Sequence, residues 1–173
     1  MYRSVFGLAL VAALAAAGVA RADQAPNPAD VVPQKMPFDI PYGPPISLDR
    51  AQAVVLAAET EAKKHDWKLN IAVVDSGGNL VAFARMDGAQ LASIAISQHK
   101  ARAAAMFRRP TKVFEHAVAS GANGVLALDG VIASRGGIPL MEDGKLIGAV
   151  GVSGGTSSQD EVCAKAGVAV VEK

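Results

Sequence analysis

Four side chains on one predicted helix are the first in the sequence that could do chemistry together. Between Gln90 and Phe107, His99, Arg102 and Met106 recur at spacings of three and four and so share a face, with Lys100 beside them on the cylinder. The imidazole of His99 could coordinate a haem iron or bond a substrate carboxylate; a neutral histidine satisfied by a backbone carbonyl is the competing reading. Arg108, Arg109 and Thr111 flank Pro110. A helix starting at Thr111 offers free amides to an anion such as a propionate or carboxylate, whereas two solvated arginines are the plainer alternative. Arg85 and Asp87 lie where a strand runs into a turn, either as an internal ion pair or as ligand-binding groups. The functional site is expected at that end. His65 reads as a charge at a helix C-terminus and His116 as a surface residue.

Other chemistries find no support. The chain has no pair of histidines at metal-ligand spacing, no H-E-x-x-H, no Walker loop and no G-x-S-x-G. The run Gly151-Val152-Ser153-Gly154-Gly155 lacks a triad partner and reads as a strand-end turn. Charge is nearly balanced, at +1 overall, and no basic run is present, which argues against nucleic acid as a partner. The single cysteine, Cys163, cannot form an internal disulfide and falls on the apolar stripe of a predicted helix, as a small buried hydrophobe would.

These side chains need a scaffold, and the 173 residues suffice for one domain. Arg3, the apolar stretch from Val5 to Val19 and the Ala20-Arg21-Ala22 end make residues 1–22 a secretory signal peptide cleaved after Ala22, which implies a periplasmic or secreted protein. Removing Arg3 and Arg21 takes the formal charge from +1 to −1. Residues 23–45 hold seven of the nine prolines and read as an extended arm outside the core. Their alternating Met36, Phe38, Ile40 and Tyr42 would also suit a strap across the domain or a neighbouring subunit.

From Ser47, an N-cap, a helix carries Leu48, Ala51, Val55, Ala58 and Ala62 on its buried stripe. A hairpin follows, its arms Asn70 to Asp75 and Leu80 to Arg85 joined through Gly77-Gly78. Both faces of the first arm are apolar, as in a strand covered on both sides. After the helix from Gln90 to Phe107, a short one runs from Thr111 to about Ala119, and Gly121 to Ser134 reads as a turn plus a strand. Ile138 to Met141 and Lys145 to Val152 form a second hairpin whose Gly148 and Gly151 suggest close backbone approach or a bulge. Ser158 and Glu161 form a capping box for the last helix. This order defines an α+β fold with helices packed against an antiparallel sheet.

The stretches VVDSGGNLVAFARMDGA, AISQHKARAA with RRPT after it, and RGGIPLMEDGKLIGAVGVSGGTSSQDE together resemble the haem-degrading domain family, also called GlcG/HbpS-like, which includes the C-terminal domain of PduO proteins. The likeness runs from about Ile46 to Lys173, residues 46–173 being the domain it covers. It implies an α-β-α sandwich with a central antiparallel sheet of about five strands, similar to profilin-like folds, and a homo-oligomer. Members are described as haem-binding or haem-degrading, as cobalamin-associated, or as encoded beside small-acid catabolism, and some secreted members serve redox or haem sensing with a membrane kinase. The resemblance adds Met86, Gly136 and Gly137 to Arg85, Asp87, Lys100 and Thr111 as matched positions, with His99, and after it Met86 or Met106, as the available axial ligands.

Three roles are therefore carried forward. The first is an exported haem or tetrapyrrole-binding protein, able to degrade haem slowly. The second is a binding protein or enzyme for a small, glycolate-type carboxylate held by Arg85, Lys100 and the amides at Thr111. The third is a non-enzymatic partner of a membrane sensor, docked through the proline-rich arm. The first two share one geometric expectation, that Arg85, Asp87 and the helix of Lys100 meet at one pocket rim.

Overall fold

The computed structural model describes residues 30–172, so the segment expected to be a signal peptide lies outside the described residues. The chain divides into units Met1–Lys35 and Met36–Lys173. Of the first, residues 30–35 are exposed.

Helix α1, Leu48–Lys64, begins where Ser47 turns extended and its hydroxyl accepts the Arg50 amide at 3.4 Å. Ala51, Val54, Ala58 and Ala62 are buried. Val54, not Val55, holds the middle of the stripe, because it stands three residues from Ala51 and four from Ala58; Leu48, expected inside, is 53% exposed. At the far end His65 is the C-cap, bonds Glu61 at 3.3 Å and stacks on Trp67, as a helix-end residue should.

Strands β1 (Asn70–Asp75), β2 (Leu80–Arg85), β3 (Gly137–Glu142) and β4 (Lys145–Ser153) form one antiparallel sheet in the order β2-β1-β4-β3. The two central strands are buried nearly throughout, in keeping with the two apolar faces of β1. Ile71, Val73, Val150 and Val152 pack against α1 and α4 (Ser157–Val168) in one core. Ala72, Val74 and Ala149 pack against Ala101, Ala104 and Ala105 of α2 (Ala92–Met106) in a second. The result is the expected α-β-α sandwich.

Two details depart from expectation. Residues 121–134 contain a short 3-10 helix, Asn123–Ala127, and no strand, so the sheet has four strands among the described residues and not about five. In place of a fifth, the end of the proline-rich arm runs beside β4 where β1 has stopped. Gly43 and Ile46 donate to Leu146 and Ile147 at 2.7 and 2.8 Å, and Leu146 donates to Pro41 at 2.9 Å. The residues from Phe38 onward are thus the strap that the alternation suggested, while Met36 is 74% exposed.

The capping box of α4 is made by Thr156 and Gln159, not Ser158 and Glu161. Thr156 is the residue still extended, so its hydroxyl and not that of Ser158 faces the first free amides. Helix α2 lies directly on the sheet because β4 offers it no side chain at Gly151, where a Cβ would run into the Ser97 carbonyl and the Ala101 amide.

Candidate functional site

Lys100 reaches from α2 past the end of β4 to the first turn of α4. Its Nζ donates to Asp160 Oδ2 at 2.7 Å and to the Val152 carbonyl at 3.1 Å. Both side chains are buried, at 1% and 3% exposure. Asp160 Oδ1 accepts the Gly155 amide, and burial pushes the Asp160 carboxyl above its ordinary range despite Lys100 pulling it down. This charge is spent on the fold and is not offered to a ligand. Gly136, at φ +116, makes room for it: a Cβ there would meet Val152 O, Asp160 and Lys100 Nζ. Gly137 in the same way lies against the Lys100 backbone.

Thr111 is committed too. Its hydroxyl donates to the Ser134 carbonyl at 2.7 Å and accepts the Gly137 amide at 3.0 Å, while its own amide donates to Gly137 O at 2.9 Å. No side-chain cap starts α3, Lys112–Ala119, and the expected anion cradle at Thr111 is a clasp on the loop before β3. That loop is gripped again by Arg135, whose Nε and backbone N donate to the Glu115 carboxylate at 2.7 and 2.8 Å and whose Nη2 meets His116 at 3.3 Å. Burial would raise the Glu115 carboxyl, and the bonds from Arg135 bring it below its usual value.

Arg108 and Arg109 hold the strap. Arg108 stands at φ +53 and donates to Ile40 O at 2.8 Å with its guanidinium over Tyr42; Arg109 lies 3.4 Å over the Phe38 ring. Neither is a solvated pair or an anion site. Burial, and then Arg108, lower the pKa of Arg109.

Arg85 and Asp87 are exposed, and among the described residues neither takes part in an ion pair. Arg85 pairs across the sheet with Asn70, whose Oδ1 is buried without a hydrogen-bond partner. Met86 packs into the core on the α1 and α4 side, the layer opposite α2, which removes its thioether from the neighbourhood of His99. The shared rim of Arg85, Asp87 and Lys100 is therefore not formed: Lys100 is sealed, and the other two face solvent.

The groups that do converge are at the opposite end of β1, four residues and about 13 Å from Asn70. His99, Arg102 and Met106 share their face of α2 as their spacing requires, and two cavities adjoin there. One, of about 380 Å³, lies between α2 and the hairpin turn and is lined by Val74, Gly78, Asn79, Leu80, Gln98, His99 and Arg102. The other, of about 420 Å³, has Ala103, Met106 and Phe107 as its apolar wall and Asp129-Gly130 as its rim. His99 and Arg102 line both. His99 Nε2 is 3.1 Å from the Gly130 carbonyl, which can only accept, so Nε2 carries the proton and, in the neutral ring, Nδ1 has the lone pair. Local pattern does not reveal Gly130 or Phe107 as part of this wall, since the first comes from a loop thirty-one residues from His99.

The three-layer fold and this cleft define a small α-β-α sandwich domain with an open cleft along α2. Residues 46–169 match the family model "Haem degrading protein HbpS-like", and the chain belongs to that family. It is 44% identical to Protein GlcG of Escherichia coli over 108 residues, which is 62% of this chain and 81% of GlcG. Among solved structures, protein ORFY of Klebsiella pneumoniae superposes with TM-score 0.70 at 31% identity, covering 82% of this chain and 97% of that one. The structure of a PduOC:haem complex superposes with TM-score 0.67 at 27% identity, covering 74% of this chain and 96% of its own.

The cleft suits a tetrapyrrole. It presents an imidazole whose free nitrogen is Nδ1, an apolar wall and a guanidinium, which are what an iron, a macrocycle and a propionate require.

Proposed function

We propose that this is an exported haem-binding protein whose site is the cleft along the C-terminal half of α2. The observation that carries this reading is the His99 bond to Gly130. A ligating histidine is normally oriented through its other ring N–H by a carbonyl or carboxylate, and His99 has that partner before any ligand arrives. Its Nδ1 is the group for the iron, Ala103, Met106 and Phe107 exclude water from one face, and Arg102 is placed for a propionate. Membership of the HbpS-like family and the likeness to a protein solved with haem support the ligand. The signal-like residues 1–22 support export. Bound haem would supply redox iron, and any slow ring opening with oxygen and a reductant would be its own chemistry, the protein contributing orientation and access.

Titration of the purified mature protein with hemin tests this. A saturable Soret shift at one haem per chain is expected, moved or lost in His99→Ala and kept in the paired variant Lys100→Met/Asp160→Leu, because Lys100 and Asp160 serve the fold. No saturable shift at micromolar hemin would reject the proposal.

A further inference from the structure

Resting on that reading, we infer that Arg102 is the residue that selects acid-bearing tetrapyrroles and orients them, with the carboxylate edge toward the Gly78-Asn79 turn. The other side-chain donors that line the cleft, and the amide of Gly78, have partners of their own. Asn79 spends its amide and its side chain on the Asp75 carboxylate, at 2.9 and 3.2 Å. Gln98 Nε2 donates to the Ile94 carbonyl at 3.2 Å. His99 Nε2 is taken by Gly130. The Gly78 amide donates to Asp75 O at 3.0 Å. Arg102 alone lines both cavities with a charge that, among the described residues, has no ion-pair partner.

The stem of this arginine is held. Gly78 sits at φ +79, and a Cβ there would come within 3.3 Å of Arg102 Cγ and of Met106 Sδ, so the hairpin turn lies against both side chains. Charge then sets the direction. Asp129 lines the apolar cavity and its charge repels an acid there, whereas the carboxylate nearest the other cavity, Asp75, is not part of its lining and is covered by bonds from Gly77 and Asn79. A flat ligand with one acidic edge therefore lies with its apolar body against Met106 and Phe107 and its acids between Arg102 and the turn. A bidentate guanidinium bond to a carboxylate fixes this orientation more strictly than a lysine could.

The test separates acid selection from haem binding by using iron-free porphyrins. Deuteroporphyrin and its neutral bis-glycol ester share the macrocycle and differ in charge. Their binding to the mature protein is followed by porphyrin fluorescence in the wild type, Arg102→Ala and Arg102→Lys, with circular dichroism to confirm folding. The diacid is expected to bind the wild type about tenfold more tightly than the ester, and Arg102→Ala to remove that difference by weakening the diacid alone. Arg102→Lys should recover only part of it. Equal affinities in the wild type, or an equal loss for both ligands in Arg102→Ala, would overturn the inference and leave the haem reading standing. Failure of both porphyrins and of hemin to bind would overturn the two together.

Discussion

Lys100 and Asp160 form an ion pair 2.7 Å long in which both side chains are excluded from solvent. It ties α2 on one face of the sheet to α4 on the other, past the end of β4. Removing one partner leaves a buried charge without compensation, so Lys100→Ala is expected to cost about 3–5 kcal/mol of unfolding free energy. The double variant Lys100→Met/Asp160→Leu should regain most of this, since two apolar groups leave nothing to desolvate. Chemical denaturation of the three proteins checks the prediction. A single variant as stable as wild type would mean that the pair contributes nothing to the union of the layers.

Acid should act through a different cluster. Arg135 holds Glu115 at 2.6 Å and Glu161 at 3.3 Å, and Lys112 and Lys165 also reach Glu161. For both carboxyls burial works upward, but the bonds from their cationic partners prevail and hold them below the usual glutamate value of 4.5. A carboxyl whose folded pKa is depressed binds fewer protons folded than unfolded, so its contribution is complete above about pH 4.5 and is lost as pH falls through the folded value. Stability should therefore decline on acidification below that point. Arg135→Ala should flatten the decline in part, because Glu115 then titrates closer to its unfolded value, while Lys165 and Lys112 still hold Glu161 down. Thermal melts from pH 7 to 3 decide this: an unchanged slope in the variant would remove Arg135 from the account.

Much of this architecture could be read from the chain, and the failures have a common origin. Ser47 as a cap, the two-faced strand at Asn70–Asp75 and the face shared by His99, Arg102 and Met106 follow from local periodicity and capping, which do not depend on distant partners. Cys163 follows from its apolar stripe; burial pushes its thiol up to about 12, and it is inert where it sits. What local rules could not supply was pairing across the layers. Lys100 looked like a ligand group because its partner Asp160 is sixty residues away. Thr111 looked like a cap because Gly137 is twenty-six away. Arg108 and Arg109 looked solvated because the strap that covers them precedes them by about seventy residues, Ile40 lying sixty-eight before Arg108. Gly151 was legible as a close approach, but what approaches it, the α2 backbone, was not.

The strap supplies the remaining prediction. Tyr42 OH donates to the Met106 carbonyl at 3.0 Å, satisfying an end group of α2 that the helix itself leaves open, and Arg108 fastens the same segment through Ile40. Arg108 does so from φ +53, a left-handed conformation that costs a residue with a Cβ on the order of 1 kcal/mol. Two opposed effects can thus be separated at one position. Arg108→Ala keeps the strained backbone and loses the charged hydrogen bond, and is expected to destabilise by about 1.5–3 kcal/mol. Arg108→Gly loses the same bond but relieves the strain, and should be about 1 kcal/mol more stable than the alanine variant. Tyr42→Phe should cost about 1 kcal/mol and speed amide exchange in residues 40–46 more than in β1. Denaturant melts with peptide-level hydrogen exchange measure all three. If glycine proved less stable than alanine at 108, the backbone there would not be strained as described; if exchange rose equally throughout, the strap would unfold only with the whole domain.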